Sequence, residues 1–121
     1  MMSKNKIKSL LPSLREKKRY LVFEIISKAN ITDFKEIEKN ILENTLRFLG
    51  ELGMAKAGIL ILKDKFDIKK QKGIIRVSHK YVNELRASLA LIQKINNQVV
   101  IVRSIGLSGI LKKAVNKYIA S

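Results

Sequence analysis

The stretch GIIRVSHKYVNELRASLALI, Gly73 to Ile92, changes its period halfway. Gly73 to Ser78 is an apolar, β-branched run suited to a buried strand. From there Val82, Leu85, Leu89 and Ile92 recur every three or four residues, which predicts an amphipathic helix from about His79 to Ile95. The chain's single histidine sits at the junction, with Arg76, Ser78 and Lys80 around it. Either a small active site or a helix cap beside a phosphate-binding surface would use such a cluster.

Working upstream, YLVFEII (Tyr20 to Ile26) alternates Leu21, Phe23 and Ile25 against Tyr20, Val22 and Glu24, which predicts a strand. Thr32 or Asp33 can cap a helix running to about Leu52, with Phe34, Ile37, Ile41, Phe48 and Leu52 as its stripe and Gly53 as its stop. GILIL (Gly58 to Leu62) reads as a strand joined to the one at Gly73 by the turn-like KDKFDIKKQK. Downstream, QVVIVRSI (Gln98 to Ile105) is the fourth strand, GLSG a turn, and Ile110, Leu111, Ala114, Val115 and Tyr118 the apolar side of a last helix.

That order predicts an α+β, ferredoxin-like (RRM-like) βαββαβ sandwich with a four-stranded antiparallel sheet and an extra C-terminal helix. Residues 1–19 read as a basic N-terminal arm broken by Pro12, and residues 20–121 as one domain.

Charge narrows the function. Lys plus Arg number 25 against 10 Asp plus Glu, a net +15, with a pI near 10.2. The matching partner is a polyanion, and nucleic acid fits best. No apolar run approaches a membrane span, and the basic N-terminus has no apolar stripe to lay on lipid. No signal peptide is evident, and zero cysteine removes disulfides and thiolate chemistry, so a cytoplasmic protein is expected.

Catalysis by the chain itself is not expected. Ser78 and His79 are adjacent at a strand end and point in divergent directions, so Ser78 reads as an N-cap. The carboxylates Asp33, Glu36, Glu38, Glu43 and Glu51 are interleaved with lysines on one helix, which describes an ion-pair face and an acidic side open to a protein partner. With one histidine and no cysteine, no metal site is expected. GLSG, followed by Lys112 and Lys113, fits either a phosphate-cradling turn or a tight turn and cap. The third strand carries no aromatic, so RNA would be gripped by its backbone and shape.

One puzzle is the second face of the sheet, where Tyr20, Val22, Ile74, Val99 and Ile101 join Arg76 and Arg103. Either the last helix covers it or another protein does. Glu24 is a cross-strand partner for Arg76 or Arg103.

Taken together, LPSLREKKRYLVFEI, GIIRVSHKYVNELRASLALI and VRSIGLSGILKKA resemble the protein component 2 family of archaeal and eukaryotic ribonuclease P. Arg15, Lys17, Arg19 and Tyr20 match its first block, Arg76, Ser78, His79 and Tyr81 the second, and Arg103, Gly106, Ser108 and Gly109 the third. Ile110 stands where the family pattern has threonine. The resemblance implies a subunit that binds and stabilises the catalytic RNA of ribonuclease P, which removes 5′ leaders from precursor tRNA using magnesium held by the RNA. It also implies a barrel-shaped protein partner, self-association into a two-plus-two assembly, and no cofactor in this chain. The alternative is another ferredoxin-like RNA-binding protein, such as a ribosome-associated factor. On either reading the expected RNA-binding residues are Lys4, Lys6, Lys8, Arg15, Lys17, Lys18, Arg19, Arg76, Lys80, Arg103, Lys112 and Lys113.

Overall fold

The computed structural model describes residues 17–120. Strand β1 (Lys18–Ile26) leads to helix α1 (Phe34–Ala57), strands β2 (Leu60–Ile61) and β3 (Lys72–Ser78) and helix α2 (Val82–Ala90). A small hairpin, β4 (Lys94–Ile95) and β5 (Gln98–Val99), precedes strand β6 (Ile101–Ser108). The terminal helix α3 is α-helical over Leu111–Ala114 and widens to a π-helix over Val115–Ile119. The main sheet has the order β2-β3-β1-β6 and is antiparallel throughout, which is the expected ferredoxin-like sandwich.

β1 is buried on both faces because both its neighbours and both layers close on it. Leu21, Phe23 and Ile25 point into the main core with Ile75, Val77 and Val102, under Ile37 and Ile41 of α1 and Leu85 and Leu89 of α2. Phe66, from the loop before β3, stacks on Phe23 at 6.2 Å between centroids and tilts against Phe34 at 5.7 Å. Each large side chain removed from water here contributes about 1.5–3 kcal/mol.

The second face is covered from within the chain. Val22 and Ile74 form a separate core with Ala114 and Ile119 of α3, and Tyr20, Ile105, Leu111 and Tyr118 pack around it. Lys70 and Lys72 donate from their Nζ groups to the carbonyls of Ile119 and Tyr118. Cations placed there complement the negative end of the helix. Val99 and Ile101, also expected on this face, lie beyond the helix and stay 72% and 60% exposed.

Several boundaries differ from the sequence reading. α1 does not stop at Leu52 but continues to Ala57, with its break at Gly50 rather than Gly53. Gly50 has φ 74° and ψ 172°, a backbone that a side chain would strain. Phe48 and Leu52, expected in the core, are 46% and 69% exposed, because the buried stripe before the break runs through Ile37, Ile41 and Thr45, with Leu49 packed on the core. α2 ends at Ala90, not Ile95, because Asn96 and Asn97 adopt φ of 52° and 64° and close the β4–β5 hairpin. That is the left-handed pair a two-residue hairpin turn requires. The strand expected over Gly58 to Leu62 shrinks to β2, and β1 begins at Lys18, inside the segment expected to be an arm.

GLSG is not a turn: Gly106, Leu107 and Ser108 belong to β6. The pairing with β1 shifts register between Val22 and Phe23, a bulge that leaves Ile105 as the extra residue. A Cβ on Gly106 would lie 2.2 Å from Cζ of Tyr118. We expect Gly106→Ala to lose about 1–3 kcal/mol in denaturant unfolding, the usual cost of overpacking. The same change in a Tyr118→Ala background should cost much less. Full additivity of the two losses would show that this close approach is not the cause.

Candidate nucleic-acid interface

The start of β1, the end of β3 and the end of β6 meet at one pole of the sheet. Lys18 pairs with Ser78, Tyr20 pairs with both Arg76 and Ser108, and the amide of His79 donates to Lys17 O at 3.0 Å. Arg19 donates from Nη1 to Lys18 O, and the same nitrogen lies 3.6 Å from where a Cβ on Gly109 would sit. Two residues past Gly109, α3 begins and carries the exposed Lys112 and Lys113. The left-handed C-cap of α1, Gly58, reaches the same pole, with Lys18 Nζ 3.2 Å from its Cβ position.

Antiparallel pairing therefore gathers Lys17, Lys18, Arg19, Lys80, Lys112 and Lys113 from three distant segments. Among the described residues no acid is paired with Lys17, Lys112 or Lys113. Such a cluster can grip phosphates as point charges, and its lysines suit backbone recognition more than reading of bases.

Ser78 is fully buried, and its Oγ accepts the Lys80 amide at 3.4 Å, capping the 3₁₀ turn His79–Tyr81 that leads into α2. A buried, capping hydroxyl offers no nucleophile to a substrate. His79 is exposed at the rim of the pole. Its position allows it to add a donor to the basic cluster.

Two expected residues stand apart. Arg103 pairs with Glu24, Nη2 to Oε1 at 2.8 Å and Nε to Oε1 at 2.9 Å, so Glu24 chooses Arg103 over Arg76. The Glu24 level is six residues along β1 from Lys18, or about 20 Å at the usual strand rise. Arg76 is half-buried between Tyr20 and Leu60 on adjoining strands, and its Nε is buried without a hydrogen-bond partner. Lys4, Lys6, Lys8 and Arg15 lie outside the described residues.

Sequence reasoning missed Lys56, exposed in the last turn of α1 near this pole. The signal was present in Gly58, whose glycine marks the true helix end more faithfully than Gly53. It also missed Gln71, which is buried and carries no chemistry. Its side chain accepts from Ile31 N at 2.9 Å and donates to Ile31 O at 3.0 Å, pinning the loop between β1 and α1.

Residues 19–119 match the Rpp14/Pop5 family. The chain is 42% identical over 117 residues to ribonuclease P protein component 2 of Thermococcus gammatolerans, covering 97% of this chain and 95% of that one. It is 36% identical over 113 residues to the protein of the same name from Methanosarcina barkeri, covering 93% of this chain and 80% of the relative. A chain in a cryo-EM structure of yeast ribonuclease MRP shares the fold, with a TM-score of 0.55 at 15% identity. That likeness covers 78% of this chain and 75% of the yeast chain.

If Ser78 is a cap rather than a reactive group, Ser78→Ala should lower stability by about 1 kcal/mol. Its RNA affinity, measured well below the melting temperature, should be unchanged. A stable variant that no longer binds RNA would assign the hydroxyl a contact role.

Proposed function

The chain belongs to the Rpp14/Pop5 family, and we propose that it works as a protein subunit of ribonuclease P that binds and stabilises the catalytic RNA during removal of 5′ leaders from precursor tRNA. The observation that carries this reading is the gathering of Lys17, Lys18, Arg19, Lys112 and Lys113 at one pole by the pairing of β1, β3 and β6. Cations held there lower the repulsion between phosphate strands that approach each other when the RNA folds. The protein part is electrostatic and positional. Hydrolysis belongs to the RNA and its magnesium, in keeping with the buried, capping Ser78.

The holoenzyme's other members follow from the family as part of the same proposal. They are a barrel-shaped protein subunit, a second copy in a two-plus-two assembly, and precursor tRNA met through the complex. No helix among the described residues is long and apolar enough to cross a membrane, and we place the particle in the cytoplasm. Lys4, Lys6, Lys8 and Arg15, outside the described residues, precede Lys17 in the chain and belong to the same proposed set of phosphate-binding residues.

The direct test is cleavage of precursor tRNA by ribonuclease P RNA at moderate magnesium, with and without this chain and its barrel-shaped partner. Stimulated cutting at the mature 5′ end, with none by protein alone, is expected. Failure of folded components to stimulate would overturn the assignment.

A second measurement addresses the pole. Replacing Lys17, Lys112 and Lys113 with Ala should flatten the dependence of log affinity on log salt by about 0.7–0.9 for each phosphate that is no longer neutralised. Arg103→Ala, which removes a cation already paired with Glu24, should leave that slope unchanged. The reverse ranking would move the interface to the other end of the sheet.

A further inference from the structure

At the end of the sheet opposite β2, strand β6 has β1 on one side and, among the described residues, no strand of the main sheet on the other. A groove of about 840 Å³ runs beside it, lined by Ile101 to Leu107, by Arg86, Ala90, Ile92 and Gln93 from α2 and the segment after it, and by Tyr118. An edge strand offers a row of amide and carbonyl groups to any extended chain that reaches it. The flanks of this edge carry two kinds of side chain.

One kind is apolar. Ile101 is 60% exposed, Val99 72% and Leu91 58%, and Ile101 pairs with the half-exposed Ile26. The other kind is cationic. Arg86 is exposed and donates from Nε to Ser104 Oγ at 3.5 Å, with no carboxylate paired to it among the described residues. Aliphatic side chains beside an open strand edge suit a polypeptide, whereas RNA phosphates would gain nothing from Ile101 or Val99.

We infer that β6 is a docking edge for an extended, acidic segment of a protein partner, which adds a strand antiparallel or parallel to Ile101–Ser104. Backbone hydrogen bonds to β6 supply the pairing, alternate apolar residues of the partner rest near Ile101 and Val99, and its carboxylates meet Arg86. The bulge at Ile105 limits the usable ladder to the half before it, because a bulge twists the strand away from a straight neighbour. Charge selects the occupant locally: Arg103 is already paired with Glu24, and the exposed Arg86 attracts a strand that carries carboxylates and repels a basic one. The site is distinct from the basic pole and does not depend on the RNA-binding role proposed above.

The test uses the full chain and a labelled synthetic peptide of alternating glutamate and valine, followed by fluorescence anisotropy and amide hydrogen exchange. Expected are saturable binding, slower exchange of amides within Ile101–Ser104, and loss of binding when the peptide backbone is N-methylated. Arg86→Glu, at an exposed position whose folding is checked by thermal melting, should weaken the glutamate peptide by about tenfold and favour a lysine–valine counterpart. A uridine-rich RNA oligonucleotide provides the competing arm. The inference is overturned if β6 amides are protected by the RNA and not the peptide, or if N-methylation has no effect. It is also overturned by absence of peptide binding, or by an Arg86→Glu variant that treats the two peptides as the parent does.

Discussion

Everything in this molecule depends on burying β1 from both sides. YLVFEII places Leu21, Phe23 and Ile25 on one face and Val22 on the other, and all four are at most 3% exposed. A central strand that is apolar on both faces needs two covering layers, and leaving either bare would expose large aliphatic side chains to water. α1 and α2 form the first layer and the short α3 the second. The terminal helix is therefore structural, and the bulge at Ile105, the glycine at 106 and the lysines at 70 and 72 all serve its seating.

Covering the second face also removes base stacking on the sheet from the proposed RNA contacts. A ferredoxin-like sheet can bind bases by stacking them on exposed aromatics of its central strands. In this chain the corresponding surface is taken up by Tyr20, Val22, Ile74 and Tyr118 packing on one another. The charged groups are displaced to the sheet's end, where β1 starts and β3 and β6 finish. Cations at strand ends can stay hydrated and reach outward, whereas Arg76, further in, has an Nε that is buried without a partner.

Period-two alternation and apolar runs are strong local signals and made β1, β3 and the layer order legible, whereas the fourth strand expected over Gln98 to Ile105 is divided between β5 of the small hairpin and β6 of the main sheet. β1 and β3 fell within two residues of the expected boundaries, and the Ser78 cap was readable from the switch in period. Errors came where a backbone conformation, not a side-chain pattern, set the boundary. Gly50 and Gly53 look alike in sequence, yet only Gly50 takes a positive φ. Asn96 and Asn97 sit where a helical stripe could have continued through Ile95, and their left-handed turn converts that end into a hairpin while keeping Ile92 and Ile95 buried. In the candidate site, charge and block order pointed to Lys17, Lys18, Arg19, Lys112 and Lys113. Their convergence, and the removal of Arg103 to the Glu24 level, required strand register, which a single sequence does not specify.

The two ends of the sheet now have different physical characters. At the pole, the start of β1 and the first turn of α3 deliver cations, and among the described residues no acid is paired to Lys17, Lys112 or Lys113, a surface suited to phosphate. Six residues along β1 from Lys18, Glu24 neutralises Arg103, and the neighbouring exposed groups on β6 and its flanks are the apolar Ile101, Val99 and Leu91 beside Arg86. Neutralising that arginine lowers the attraction for a polyanion at the place where the strand edge and apolar side chains favour a polypeptide. On the two roles proposed above, Glu24, on the same strand as Lys18 but six residues away, keeps a phosphate-binding end and a polypeptide-binding edge apart with one carboxylate.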